Sequence, residues 1–355
     1  AQVHSSGSRC GVPPGCGRQI VSMPGGPSRS RGHGSAKMVS AMRRRLLCAR
    51  SPFSERNRSR LRVMWWAPSP DRPTSKGGNH LAVRTADGRR GGVTRDKPNV
   101  FEADVIVGGA VERPDVLESC PVLGRLLSSE GGLRERLNAA RPELKLDKLE
   151  FAKIQVNTGS GGAFPLHFDV SASKDARRVL TAILYLNPDW EKGWGGEVEV
   201  LPFPFPNVVV PPVDRRLVVF SSNTVMHRVR PFKGASSRVC INLWFDGDVT
   251  SSFPAPLPAE DFDARVARVV RVLRSQPNEL RAFCKVWYSD LIAESFRDAF
   301  VASPELEASV DLHYEEAGEV EKRIAPSTLE LLRTFLPLEP RVENAKDLGG
   351  LFDDL

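Results

Sequence analysis

Between residues 149 and 245, apolar residues recur at every second position in short runs separated by Gly- and Pro-rich breaks. No other feature constrains the fold as strongly, because period-two runs bury one face of a strand and cannot lay an apolar stripe along a helix. The runs are 150–157, 179–186, 197–201, 216–220, 227–230 and 238–245, with turns at 159–162 and 193–196. The stretch 202–212 is rich in proline and is expected to be a connection rather than a central strand. Several short strands joined by turns predict a mainly β fold with flanking helices (α+β), its core a β-barrel or jelly roll.

Helical spacing appears on both sides of this region. Residues 114–127 and 132–140 read as two short helices, and 261–275 and 278–300 as two longer ones. Past residue 303 the chain is acidic and less regular, with one further helix expected at 328–335. The expected organisation is a disordered basic arm at 1–98, a folded domain at 99–302 and an acidic tail at 303–355. Within the domain, N-terminal helices fill 99–148, the strand-rich core fills 149–248 and C-terminal helices fill 255–302.

The charge is divided unevenly between these parts. The first 100 residues carry 20 Lys and Arg against four acids, Glu55, Asp71, Asp87 and Asp96, a net of +16. The chain as a whole is at +7, so its other 255 residues sit at −9. The arm has little aromatic interleaving and the remainder is acidic, which disfavours a nucleic-acid partner. Its Ser- and Arg-rich, acid-poor composition fits an organelle transit peptide, a disordered arm or mistranslated sequence. No apolar run reaches 18 residues, so no membrane-spanning helix is expected. The six cysteines form no CxxC pair, and Cys120, Cys240 and Cys284 lie among apolar neighbours. They are expected to be buried thiols in an intracellular, reducing compartment.

Chemistry-bearing residues concentrate in the strand region. His167 and Asp169 lie two apart, a spacing that puts both on one face at a strand end, and His227 opens a later strand. Two imidazoles and one carboxylate form the facial triad that holds non-haem iron and leaves coordination positions open. Arg238 follows on the next strand and shares its face with Cys240, Asn242 and Trp244. A cation on an inward face needs an anionic partner, which a bidentate carboxylate ligand would supply. Arg228 and Arg230 are competing candidates, but they lie too near His227 to reach past a metal and are expected to face solvent.

Residues 149–248 resemble the catalytic domain of the prolyl 4-hydroxylase-type 2-oxoglutarate/Fe(II) oxygenases. The resemblance rests on Asn157-Thr-Gly-Ser-Gly-Gly, His167-Phe-Asp169, Leu184-Tyr-Leu-Asn-Pro-Asp-Trp190 and Gly195-Gly-Glu197. Asp214 to Phe220, His227 to Pro231 and Arg238 to Phe245 extend it in the same order. It implies a double-stranded β-helix with His167, Asp169 and His227 on Fe(II), Arg238 on 2-oxoglutarate and Tyr185 on the same carboxylate. It further implies O2 as oxidant, ascorbate as reductant and a protein or peptide substrate, peptidyl proline first. The implied reaction hydroxylates a C–H bond while 2-oxoglutarate is decarboxylated to succinate. The chain departs from the family at Asn157, where many members carry a tyrosine, and at Arg228, where many carry an acid. Arg238 is also offset by a residue or two from the commonest spacing.

Three other readings use the same residues. The chemistry could act on another side chain or a small molecule, or the barrel could bind metal without turnover. A zinc hydrolase could use the His/Asp/His set but would not call for Arg238 or Tyr185. Thr181 and Trp244 are expected near the pocket, mainly as packing residues.

Overall fold

The computed structural model describes residues 47–50, 75–85, 87, 89–170, 177–205, 207–248, 264–335 and 341–342. Among the described residues, thirteen strands form two sheets. They are β1 (Leu47–Arg50), β2 (Ser75–Arg84), β3 (Arg90–Val107), β4 (Ala110–Val111), β5 (Leu146–Asn157), β6 (Gly162–His167) and β7 (Arg178–Tyr185). After these come β8 (Val198–Leu201), β9 (Val208–Val210), β10 (Arg216–Ser221), β11 (Met226–Phe232), β12 (Arg238–Gly247) and β13 (Arg341–Val342). The larger sheet runs β1-β10-β7-β12-β5-β3-β2, with β4 on β3, and the smaller runs β13-β9-β8-β11-β6. This is the double-stranded β-helix core with flanking helices.

The alternation read from the sequence decides which residues enter the space between the sheets. On β12, Val239, Ile241 and Leu243 turn outward to an apolar layer shared with Leu123, Leu126, Leu133 and Leu137. After α1 (Pro114–Ser119), those leucines belong to α2 (Pro121–Leu127) and α3 (Leu133–Ala140). The opposite phase of β7 and β12 sends Ile183, Tyr185 and Cys240 inward, against Val198, Val200 and Val208 of the smaller sheet. The outer face of the smaller sheet is covered by α4 (Ala264–Ser275), α5 (Pro277–Trp287), α6 (Ser289–Ala299) and α8 (Pro326–Phe335). There Leu166, Leu201 and Met226 pack against Phe283, Ile292 and Leu332.

Several boundaries differ from the sequence reading. The expected helix at 114–127 is two helices, because Pro121 disfavours helical backbone at Cys120, which sits at φ −132°. The expected helix at 278–300 also divides, at Tyr288. Within the proline-rich 202–212 stretch, Val208–Val210 forms β9 between β8 and β13. The expected arm at 1–98 does not end where its composition suggests, since β1, β2 and the first half of β3 belong to the larger sheet. The sequences of β2 and of the start of β3 are Gly-rich and polar, and pairing with neighbouring strands, not local propensity, makes them strands. Residues 1–46 of the expected arm lie outside the described residues.

The region expected to be a tail opens instead with an 18-residue helix, α7 (Pro304–Glu321). Its start is encoded locally: the Ser303 side chain accepts from the Leu306 amide, Pro304 sits in the first turn, and Glu305 and Glu307 face the helix N-terminus. Leu306 and Val310 of α7 then pack with Leu81 of β2. No helix of the described residues is long and apolar enough to cross a membrane. Cys120, Cys240 and Cys284 are buried free thiols, as expected.

Candidate active site

The two histidines meet through strand register. His227 on β11 is paired with His167 at the end of β6, and their ring centroids are 4.4 Å apart. Asp169 lies two residues beyond β6 in a bend, its Oδ1 3.3 Å from His167 Nε2 and its Oδ2 3.6 Å from His227 Nε2. One donor atom from each residue lies within 4.8 Å of the others. His167 Nδ1 is 2.7 Å from the Pro165 carbonyl; the ring donates there, which leaves the Nε2 lone pair facing the cluster. Phe220 covers His227 from the interior, with ring centroids 4.6 Å apart.

The protonation states suit a cation. Burial alone would raise the Asp169 carboxyl, but the adjoining imidazoles and the Thr181 hydroxyl outweigh it and hold it well below the usual carboxylate range. His227 is pushed down to about 4, first of all by burial, which outweighs the opposing pull of Asp169. At neutral pH the pair is therefore an ionised carboxylate beside a neutral imidazole. A hard carboxylate and two imidazole nitrogens, converging within 4.8 Å of one another, fit a divalent first-row ion.

A second polar centre lies farther along the same interior face. Arg238 is 1% exposed. Its Nε donates to the Gly196 carbonyl at 2.8 Å, its Nη1 to Asn157 Oδ1 at 3.1 Å and its Nη2 to the Tyr185 hydroxyl at 3.4 Å. The guanidinium also lies 5.1 Å from the centre of the Tyr185 ring. All these partners are neutral, and among the described residues no carboxylate pairs with Arg238. Gly196 makes the approach feasible: it sits at φ +77°, and a Cβ there would come within 2.7 Å of Arg238 Cδ. Asn157, where the family commonly has a tyrosine, accepts from both Arg238 and Gln155.

Strand β7 links the two centres. Thr181, Ile183 and Tyr185 share its inward face, so Thr181 and Tyr185 are separated by four residues, roughly 13 Å of strand. Thr181 is more than a packing residue, because its hydroxyl donates to Asp169 Oδ2 at 2.5 Å. Ser222, which the sequence reading missed, lies 2.7 Å from the Thr181 hydroxyl. Arg178, also missed, donates from Nη1 to the Asp169 carbonyl at 2.9 Å, its guanidinium packed on Phe151 and Trp244. Only the inward phase of Thr181 could have signalled any of these contacts, since the partners come from distant parts of the chain.

The expectation that Arg228 faces solvent is wrong. It is 6% exposed on the outer face of the smaller sheet, where α6 covers it. Its Nε donates to Glu199 at 2.7 Å and its Nη1 to Glu294 at 3.1 Å. Arg230 is half-buried and donates to the same Glu199 carboxylate at 3.3 Å. Both side chains line a separate cavity of about 600 Å³, walled also by Trp287, Tyr288 and Tyr314, which none of the triad residues touches.

Residues 152–246 match the family model described as the 2OG-Fe(II) oxygenase superfamily. The match spans the segment holding all five candidate residues, and it supports a dioxygenase. Among solved structures, the chain is similar to one described under prolyl 4-hydroxylases from Phytophthora capsici. That similarity has a TM-score of 0.57 at 23% identity, covering 88% of this chain and 97% of that one, and it shows the fold. A Pseudomonas putida prolyl-4-hydroxylase, at a TM-score of 0.39 and 20% identity over 60% of this chain and 98% of its own, adds nothing further. No curated protein matches the chain.

Proposed function

We propose that this protein is a 2-oxoglutarate- and Fe(II)-dependent dioxygenase that hydroxylates a C–H bond, with a peptidyl proline as the first substrate to test. One observation carries the reading: the inward face of β7 touches a His/Asp/His cluster through Thr181 and, through Tyr185, a buried arginine with no carboxylate partner among the described residues. A buried guanidinium with only neutral partners among the described residues is costly unless an anion joins it. A dicarboxylate reaching from the triad to Arg238 would meet that need.

In this reading His167, Asp169 and His227 hold Fe(II), which when bound activates O2 and drives decarboxylation of 2-oxoglutarate to succinate. The protein's own share is positional. Arg238 and the Tyr185 hydroxyl bind and orient the far carboxylate of 2-oxoglutarate. Asn157 and the Gly196 carbonyl hold the guanidinium in plane. Phe220 and the apolar residues between the sheets exclude water around His227, keeping its imidazole neutral. The choice of peptidyl proline rests on the resemblance of residues 149–248 to prolyl 4-hydroxylases. Ascorbate as reductant rests on the same resemblance.

The test is turnover without added peptide. The full chain with ferrous iron, 2-oxoglutarate and O2 is expected to release succinate well above a His227→Ala control, and equal release from both would overturn the reading. Proline-containing peptides are then scored by mass spectrometry for addition of one oxygen.

A further inference from the structure

The carboxylate of Asp169 is held by a chain of hydroxyls that the proposed metal site does not itself require. Thr181 is 1% exposed and Ser222 is fully buried. The Thr181 hydroxyl is 2.5 Å from Asp169 Oδ2 and 2.7 Å from Ser222 Oγ. The direction of the chain follows from its geometry: the Thr181 hydroxyl donates to Oδ2, which takes up its single proton. Ser222 must then be the donor at the second contact. The order is Ser222 to Thr181 to Asp169, each bond polarising the next.

Two facts make this a device rather than incidental packing. The neighbouring inward residue of β7 is Ile183, and a valine at 181 would fill the same space without a hydroxyl to satisfy. The same strand also holds the backbone of Asp169, through Arg178 Nη1 on its carbonyl at 2.9 Å. Strand β7 thus fixes the residue at two points, main chain and side chain, although Asp169 itself lies in a bend beyond β6.

We propose that Thr181, backed by Ser222, is a positioning residue that occupies Oδ2 of Asp169 and so leaves Oδ1 as the single oxygen offered to the metal. The inference rests on the triad being a metal site. Its consequence is a coordination number: a carboxylate binding through one oxygen keeps three positions open for co-substrate and O2, whereas a chelating one closes one of them.

The test uses Co(II) as a spectroscopic stand-in, on the full chain without 2-oxoglutarate. Thr181→Val is expected to weaken Co(II) binding about 10- to 100-fold, the usual effect of losing an outer hydrogen-bond partner of a ligand. It is also expected to lower the intensity of the visible Co(II) bands, as Asp169 turns to bind through both oxygens. Thr181→Ser restores the hydroxyl and is expected to recover both readouts, and Ser222→Ala is expected to move them less, in the same direction as Thr181→Val. Wild-type affinity and spectrum in a folded Thr181→Val protein would overturn the assignment. Should that variant not fold, Ser222→Ala decides, and an unchanged affinity and spectrum there would overturn it equally. If the wild type takes up no more Co(II) than His227→Ala, the metal site itself fails, and this inference with it.

Discussion

His167 and His227 come from strands 60 residues apart in the chain, yet the β6–β11 register sets them directly opposite each other, ring centroids 4.4 Å apart. Neither strand contains the third member of the cluster. Asp169 reaches it from a bend, held there by contacts to β7, and the site therefore depends on three separate pieces of backbone.

Removing one imidazole should remove the ion. His227→Ala is expected to lower affinity for Fe(II) or Co(II) by at least 100-fold while leaving the thermal unfolding profile of the metal-free protein broadly intact. Calorimetric titration with each ion checks this. Undiminished binding would move the metal elsewhere.

Arg238 should control co-substrate binding without controlling the metal. Arg238→Ala is expected to weaken 2-oxoglutarate binding by about 2–4 kcal/mol, the scale of a desolvated charge-assisted pair. Co(II) affinity should stay within about threefold. Arg238→Lys should recover little, because an ammonium cannot reproduce the planar fork that engages Gly196, Asn157 and Tyr185 together. Equal 2-oxoglutarate affinity in wild type and Arg238→Ala would remove the assigned role.

Acid should destabilise the metal-free protein through His227. Its pKa falls from 6.5 to about 4 on folding, so between those values the unfolded chain binds the proton and the folded one does not. Stability contributed by the neutral ring is thus whole above about pH 6.5 and is lost as pH falls towards 4. The loss is on the order of 3 kcal/mol. Urea unfolding across this range should show a shallower decline for His227→Gln than for the wild type, and parallel curves would contradict the assignment.

The buried pair on the outer face should matter for stability alone. Glu199 is 2% exposed and receives both Arg228 and Arg230. Glu199→Gln is expected to cost about 3–5 kcal/mol in urea unfolding, the scale for breaking a buried ion pair. Metal affinity should be unchanged, because Arg228 and His227 alternate on opposite faces of β11. A loss of metal binding in a folded variant would show that the two faces are coupled.

Much of this arrangement was legible before folding. Period-two alternation fixes which side of a strand a residue occupies, so the inward phase of Arg238 and Tyr185 followed from β12 and β7 themselves. His167, Asp169 and His227 stood out by type and spacing. Local reasoning failed where pairing supplies what propensity lacks, as in the Gly-rich strands β2 and β3. It failed again at Arg228, whose outward phase was right but whose cover, α6, lies 66 residues from it by the Glu294 contact.

By itself, then, the sequence determined the strand-rich core, the candidate site residues and the face taken by those that lie on strands. Tertiary structure alone decided what each donor touches. Asn157 meets Arg238 across 81 residues of chain, Gly196 meets it across 42, and Ser222 meets Thr181 across 41. Alternation says nothing about register between distant strands, and a slip of one residue would reverse every face. The register that aligns these strands is set by the packing of both sheets and their covering helices, and with it the environment of every residue in the site.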